Sequence, residues 1–123
     1  MKNFMTMDMP ISFLLNNKAI NLIIESIPWL FFVTDEHFNL IYANRSFKDL
    51  LQIDVVEGKK CYEILCDRTA PCKGCPIPLL EKEGEDEVYS PKLGRYFKKI
   101  YKKVISPDGK VYTCILCIDI TEE

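Results

Sequence analysis

The stretch SIPWLFFVTDEHFNLIYANRSFKDLL, residues 26–51, decides the fold. Pro28 biases the residue before it toward an extended backbone, so a preceding helix ends there. Residues 29–34 (WLFFVT) are aromatic and β-branched, and residues 40–43 (LIYA) repeat that character, which predicts two strands. The polar DEHFN between them predicts a turn, so the strands form a hairpin. Asn44 or Ser46 then caps a short helix carrying Phe47, Leu50 and Leu51 at helical spacing. Strand alternation lets only one of Phe31 and Phe32 face a pocket. Trp29, Phe31, Phe32, Tyr42 and Phe47 read as core side chains rather than a cofactor stack.

Upstream, residues 10–26 predict a helix. Pro10 suits its first turn, and Ile20, Ile23, Ile24 and Ile27 keep the spacing of one face. Ile11, Phe13, Leu14, Leu15 and Leu22 make it apolar on more than one side, as expected of a helix packed on its own domain or against a second copy. All four methionines fall in the first nine residues, which read as a loose leader.

Downstream, residues 54–60 read as a loop and residues 61–66 as a helical turn with Tyr62 and Leu65 on one side. Residues 67–75 are a loop punctuated by Pro71 and Gly74, and Pro76 is expected to open a helix through Leu79 and Leu80 that ends near Gly84. EKEGEDE (residues 81–87) carries five acids and one Lys, and residues 92–103 carry six basic residues and no acid. Such runs form solvated faces or cross-strand pairs. In residues 95–105 apolar side chains recur about every fourth position, but aromatic and β-branched content favours a strand. SPDG (residues 106–109) is a strong turn signal that leads into a β-rich run over residues 110–120, so a long hairpin is expected.

The chain has 123 residues, 48 % of them hydrophobic and 28 % charged, enough for one domain with one core. Sixteen basic residues against eighteen acidic ones leave a net charge of −2, without the basic excess that nucleic acid or a membrane surface requires. No apolar run approaches the roughly 18 residues of a membrane span, and no signal peptide is visible, so a cytoplasmic location is expected. No acid–base pair or nucleophile–base arrangement points to an enzyme.

The order helix, hairpin, short helices, long hairpin resembles a PAS domain, the sensor fold of bacterial signalling proteins. Residues 26–51 resemble its opening. SPDGKVYTCILCIDITEE (residues 106–123) resembles its close, with the Asp119-Ile120-Thr121 triplet that commonly ends it. GKKCYEIL (residues 58–65) followed by PCKGCP (residues 71–76) resembles a cysteine-bearing subset of sensor kinases and transcriptional regulators. The resemblance implies an α+β fold, a five-stranded antiparallel sheet with short helices over one face and an N-terminal flanking helix. Residues 1–21 would form the leader and flanking helix, and residues 22–123 the sensor domain. The implied role is a non-catalytic module that binds a small ligand or senses redox state. It would regulate a C-terminal effector, a histidine kinase or a transcriptional regulator, and form a homodimer through the N-terminal helix. An interaction module with a filled core and no ligand is the rival class.

Six cysteines mark the site. In a reducing compartment Cys61, Cys66, Cys72 and Cys75, spaced C-x4-C-x5-C-x2-C, point to metal or redox chemistry before structural disulfides. The Cys72-Lys73-Gly74-Cys75 knuckle suits chelation, and Cys75 ahead of a helix opened by Pro76 would favour a thiolate. Four readings stay open: a structural zinc, an iron–sulfur cluster, a reversible disulfide, and thiols that are small core side chains. Cys114 and Cys117 lie three apart in a strand and face opposite sides, so one of them can look across the pocket at the cysteine loop. Haem is disfavoured because the single His, His37, sits in the polar turn. Cys61 matches the reactive Cys of light-sensing flavin members, but the neighbouring Asn, Arg and Gln of their motif are replaced, which speaks against a photoactive flavin.

Overall fold

In a computed structural model, the described residues are 17–71, 75, 77–78 and 82–121. The elements follow as α1 (Lys18–Ser26), β1 (Leu30–Thr34), β2 (Leu40–Ala43), α2 (Arg45–Leu51), α3 (Cys61–Cys66), β3 (Glu83–Ser90), β4 (Arg95–Ile105) and β5 (Val111–Asp119). The five strands form one antiparallel sheet in the order β2-β1-β5-β4-β3. The first and last strands, β1 and β5, therefore pair inside the sheet.

Alternation sorts the side chains. Leu30 and Phe32 of β1, Phe97 and Tyr101 of β4, and Ile115 and Cys117 of β5 share one buried face. Phe47 of α2 is fully buried against it, with its ring centroid 5.2 Å from that of Phe32. Leu40, Val56, Cys61 and Ile77 complete this core. Phe32 is thus the pocket-facing member of its pair, while Phe31 meets Tyr42 on the other face at 6.3 Å.

Asn44 joins the halves of the opening hairpin. It is fully buried, and its side-chain oxygen accepts from the N–H of Phe47 (3.0 Å), capping α2, and from that of Phe31 (3.1 Å). Its amide nitrogen donates to the carbonyls of Trp29 (2.9 Å) and Ile24 (3.1 Å). One side chain therefore fixes the end of α1, the start of β1 and the start of α2. Asn17 caps α1, accepting from the N–H of Ile20 at 3.0 Å. The Tyr42 hydroxyl donates to Glu25 of α1 and Ser46 to the Ile27 carbonyl at 2.8 Å. The helix expected over residues 10–26 begins at Lys18 within the described residues, and residues 10–16 lie outside them.

One expectation is corrected. Of the helix expected from Pro76, residues 76 and 79–81 lie outside the described residues, and its expected end near Gly84 is a strand, because β3 begins at Glu83 and Gly84 lies inside it. The acidic run finds its partners across the strand: Glu83, Glu85, Asp86 and Glu87 stand opposite Lys102, Ile100, Lys99 and Lys98. Lys98–Glu85 (3.3 Å) and Lys102–Glu83 (3.5 Å) are ion pairs. Gly84 is required there, since an added Cβ would fall 2.7 Å from the Tyr101 hydroxyl.

Candidate functional site

The turn after β1 places the first cysteine. The Asp35 carboxylate accepts from the backbone N–H groups of His37 (2.8 Å) and Asn39 (3.0 Å) and from the Asn39 side chain (2.8 Å). Partial burial raises the Asp35 pKa, but these donors outweigh it and hold the carboxyl below its ordinary range. Within the turn Phe38 is left-handed (φ 68°), which turns its carbonyl onto the N–H of Cys61 at 2.9 Å and its ring onto Tyr62 at 5.7 Å. Leu40 N–H donates to the Lys59 carbonyl (2.9 Å), and Lys60 donates to the His37 carbonyl (2.9 Å). The polar turn thus fixes the N-terminus of α3, with Cys61 buried under the sheet.

Beneath α3 lies a mainly apolar cavity of about 190 Å³. Leu30, Phe32, Phe97 and Ile115 form its sheet wall, Tyr62 and Leu65 its helical wall, and Val88 and Leu93 its far end. Lys92 clamps that end by donating to the Ile64 carbonyl (2.6 Å) and to Asp67 (2.9 Å). Cys61, Cys66 and Cys75 all line this cavity, and Cys117 faces them from β5. Three of the four cysteines expected as ligands thus share one wall. Cys72, the fourth, lies outside the described residues. Among the described residues no three His, Cys, Asp or Glu side chains assemble into a metal-holding group. Sulfur nonetheless faces the cavity from two sides, from Cys61, Cys66 and Cys75 and from Cys117 of β5.

Cys117 and Cys114 divide as alternation requires. Cys117 is the cavity member, and Cys114 stands on the opposite face. Burial pushes both thiols up to about 11, with Lys99 partly opposing this at Cys117. Both are protonated at neutral pH, so neither is a ready nucleophile.

A second, open cleft of about 440 Å³ lies at the other end of the same wall. Trp29, Ser46, Asp49, Leu50, Arg95 and Asp119 form its rim, and Leu30, Phe97 and Cys117 line both hollows. The Asp119-Ile120-Thr121 triplet is clasped here. Asp119 pairs with Arg95 at 2.7 Å and accepts from Thr121 N–H at 2.9 Å, while Thr121 Oγ1 accepts from Tyr96 N–H at 2.8 Å. Two lining contributions escaped the sequence reading. Val88 comes from the unrecognised β3, and Lys99 comes from the basic run. The β period from Phe97 to Tyr101 is the signal that would have placed Lys99 on the inner face.

Solved structures share this architecture. The PAS domain of an HTR-like protein from Haloarcula marismortui matches with a TM-score of 0.63 and 13 % identity, over 85 % of this chain and 91 % of its own. A sensory box sensor histidine kinase from Vibrio cholerae matches with a TM-score of 0.62 and 14 % identity, over 91 % and 97 %. The PAS domain of BvgS from Bordetella pertussis matches with a TM-score of 0.59 and 18 % identity, over 86 % of each chain. No curated protein matches the chain. The sequence model of the PAS domain family matches residues 19–84, more than half of the chain, and that span takes in the capped opening hairpin and the cysteine-bearing α3. The chain belongs to the PAS domain family.

Proposed function

We propose that this domain is a sensory module whose thiol-lined cavity receives the signal, as small-ligand occupancy or as redox or metal chemistry at Cys61, Cys66, Cys72 and Cys75. The observation that carries the reading is the convergence of Cys61, Cys66, Cys75 and Cys117 on one apolar cavity. Occupancy would move Phe97 and Cys117, which also wall the cleft beside the Arg95–Asp119 clasp. A shift there biases the chain leaving β5 and, through it, a C-terminal effector such as a histidine kinase or a transcriptional regulator. The domain performs no catalysis itself and works in the cytoplasm, where thiols stay reduced. The relatives with sensor-kinase names support the signalling role.

The test is metal and sulfide analysis with a UV–visible spectrum on protein purified without oxygen. Stoichiometric zinc, or iron with sulfide, that is lost in Cys61→Ser and Cys75→Ser supports metal sensing. Absence of metal, with a thiol count that is the same in oxidising and reducing buffers, overturns the cysteine part of the proposal.

A dimer role is favoured by α1, where Leu22 is 69 % and Ile23 64 % exposed. A homodimer through this helix predicts that Leu22→Glu lowers the mass measured by light scattering to that of one chain. An unchanged mass removes this reading.

A further inference from the structure

The cavity holds one feature that thiol chemistry does not use. Lys99 lines it from the middle of β4, between Asp86 and Cys117 on the flanking strands. Its neighbours Lys98, Lys102 and Lys103 all have partners: Lys98 and Lys102 pair with Glu85 and Glu83, and Lys103 donates to the Ile77 carbonyl. The Lys99 ammonium makes no hydrogen bond or ion pair among the described residues. Asp86, directly opposite, accepts from the backbone N–H of Glu87 at 2.8 Å and forms no ion pair with Lys99. An apolar hollow with a cation in its wall and no anion paired to it among the described residues suits a ligand that is apolar at one end and anionic at the other.

Volume narrows the class. An enclosed apolar cavity of about 150 Å³ accommodates benzene. The cavity here, at about 190 Å³, has room for one such ring and a small polar group. Leu30, Phe32, Leu65, Val88 and Ile115 supply apolar walls for the ring. A carboxylate is a small single-charged anion that one lysine matches as a point charge, whereas a phosphate ester is bulkier and brings up to two charges to one ammonium.

We propose that the cavity binds a small monocarboxylate of about benzoate size, its ring or chain against the apolar walls and its carboxylate on Lys99. This deepens the ligand-sensing half of the function proposed above and rests on it.

The test uses the chain as it stands, with benzoate as probe and benzamide as its neutral isostere, by calorimetric titration. Benzoate is expected to bind about tenfold more tightly than benzamide, the range of one hydrogen bond to a charged group. Lys99→Met should erase that preference, and Lys99→Arg should retain most of it. Equal binding of the two probes, or a preference that survives Lys99→Met, overturns the carboxylate assignment and leaves a ligand-binding cavity intact. Binding of neither probe overturns it as well. The comparison of probes on the unmodified protein needs no variant to fold, and the metal and thiol measurements fail or succeed independently of it.

Discussion

At the scale of single residues, Asn44 does the most. Five backbone groups converge on its amide, the N–H groups of Phe31 and Phe47 as donors and the carbonyls of Ile24, Ile27 and Trp29 as acceptors. Asn44→Asp is therefore expected to be as damaging as Asn44→Ala. The carboxylate keeps the cap on Phe47 but cannot donate to the carbonyls of Ile24 and Trp29, and it is buried. Each should lower stability by about 2–4 kcal/mol, measured by urea unfolding, since buried groups lose their partners in both. A loss under about 1 kcal/mol for Asn44→Asp would contradict this account. Asn44 was legible as one of two cap candidates beside Ser46, because side-chain type and position before an apolar helix reach that far, and the structure chooses Asn44. Its grip on Ile24 and Trp29 was not, since it depends on how α1 folds back. Lys99 was missed for another reason: the basic run told its charge, and its place between Phe97 and Tyr101 in strand alternation, which the register bears out, was there to tell which way it faces.

At the scale of elements, the opening hairpin, α2, α3 and the β4–β5 hairpin could all be read, because propensity, period and turn chemistry agreed in each. β3 could not. EGEDEVYS has four acids and a glycine where a strand usually has β-branched residues, and the preceding Pro76 suggested a helix. What makes it a strand is tertiary, the lysines of β4 in register and the Tyr101 ring lying over Gly84. Gly84→Ala is expected to lower stability by about 1–3 kcal/mol by thermal or urea unfolding, because the new methyl meets Tyr101 atoms at 2.7–2.9 Å. A neutral or stabilising effect would show that β3 does not pack on Tyr101 in this way. The cysteines show the same division. Their cluster was visible by spacing, and so was the opposite facing of Cys114 and Cys117, but their convergence on one cavity needed α3, the loop and β5 brought together.

At the scale of the whole molecule, titration ties distant corners to one stability curve. At Asp108 the Ser106 hydroxyl and the Lys110 N–H lower the carboxyl, and at Asp119 the Thr121 N–H and Arg95 do, as the turn amides lower Asp35. A carboxyl depressed in the folded state stabilises above its ordinary value, and that contribution is lost as pH falls through the folded value. The domain should therefore lose stability below about pH 4, and Asp35→Asn should flatten that acid limb. The buried thiols act in the other direction. Cys114 and Cys117 are raised from 9.0 to about 11, so their contribution holds below about pH 9 and is lost as pH rises toward 11. Melting temperature against pH, with Cys114→Val and Cys117→Val beside the parent, measures both limbs, and acid and alkaline slopes unchanged by any of these variants would refute the assignment. The position of the acidic strand has one further consequence. The sheet ends in β2 and β3, and an unpaired strand edge is an invitation to another chain. β2 limits that invitation by spanning only Leu40–Ala43, and β3 by presenting Glu83, Glu85, Asp86 and Glu87 within its first five residues. A copy offering the same edge brings a second set of four carboxylates to this one, so the strand that sequence propensity argued against is also the one that disfavours joining these sheets edge to edge.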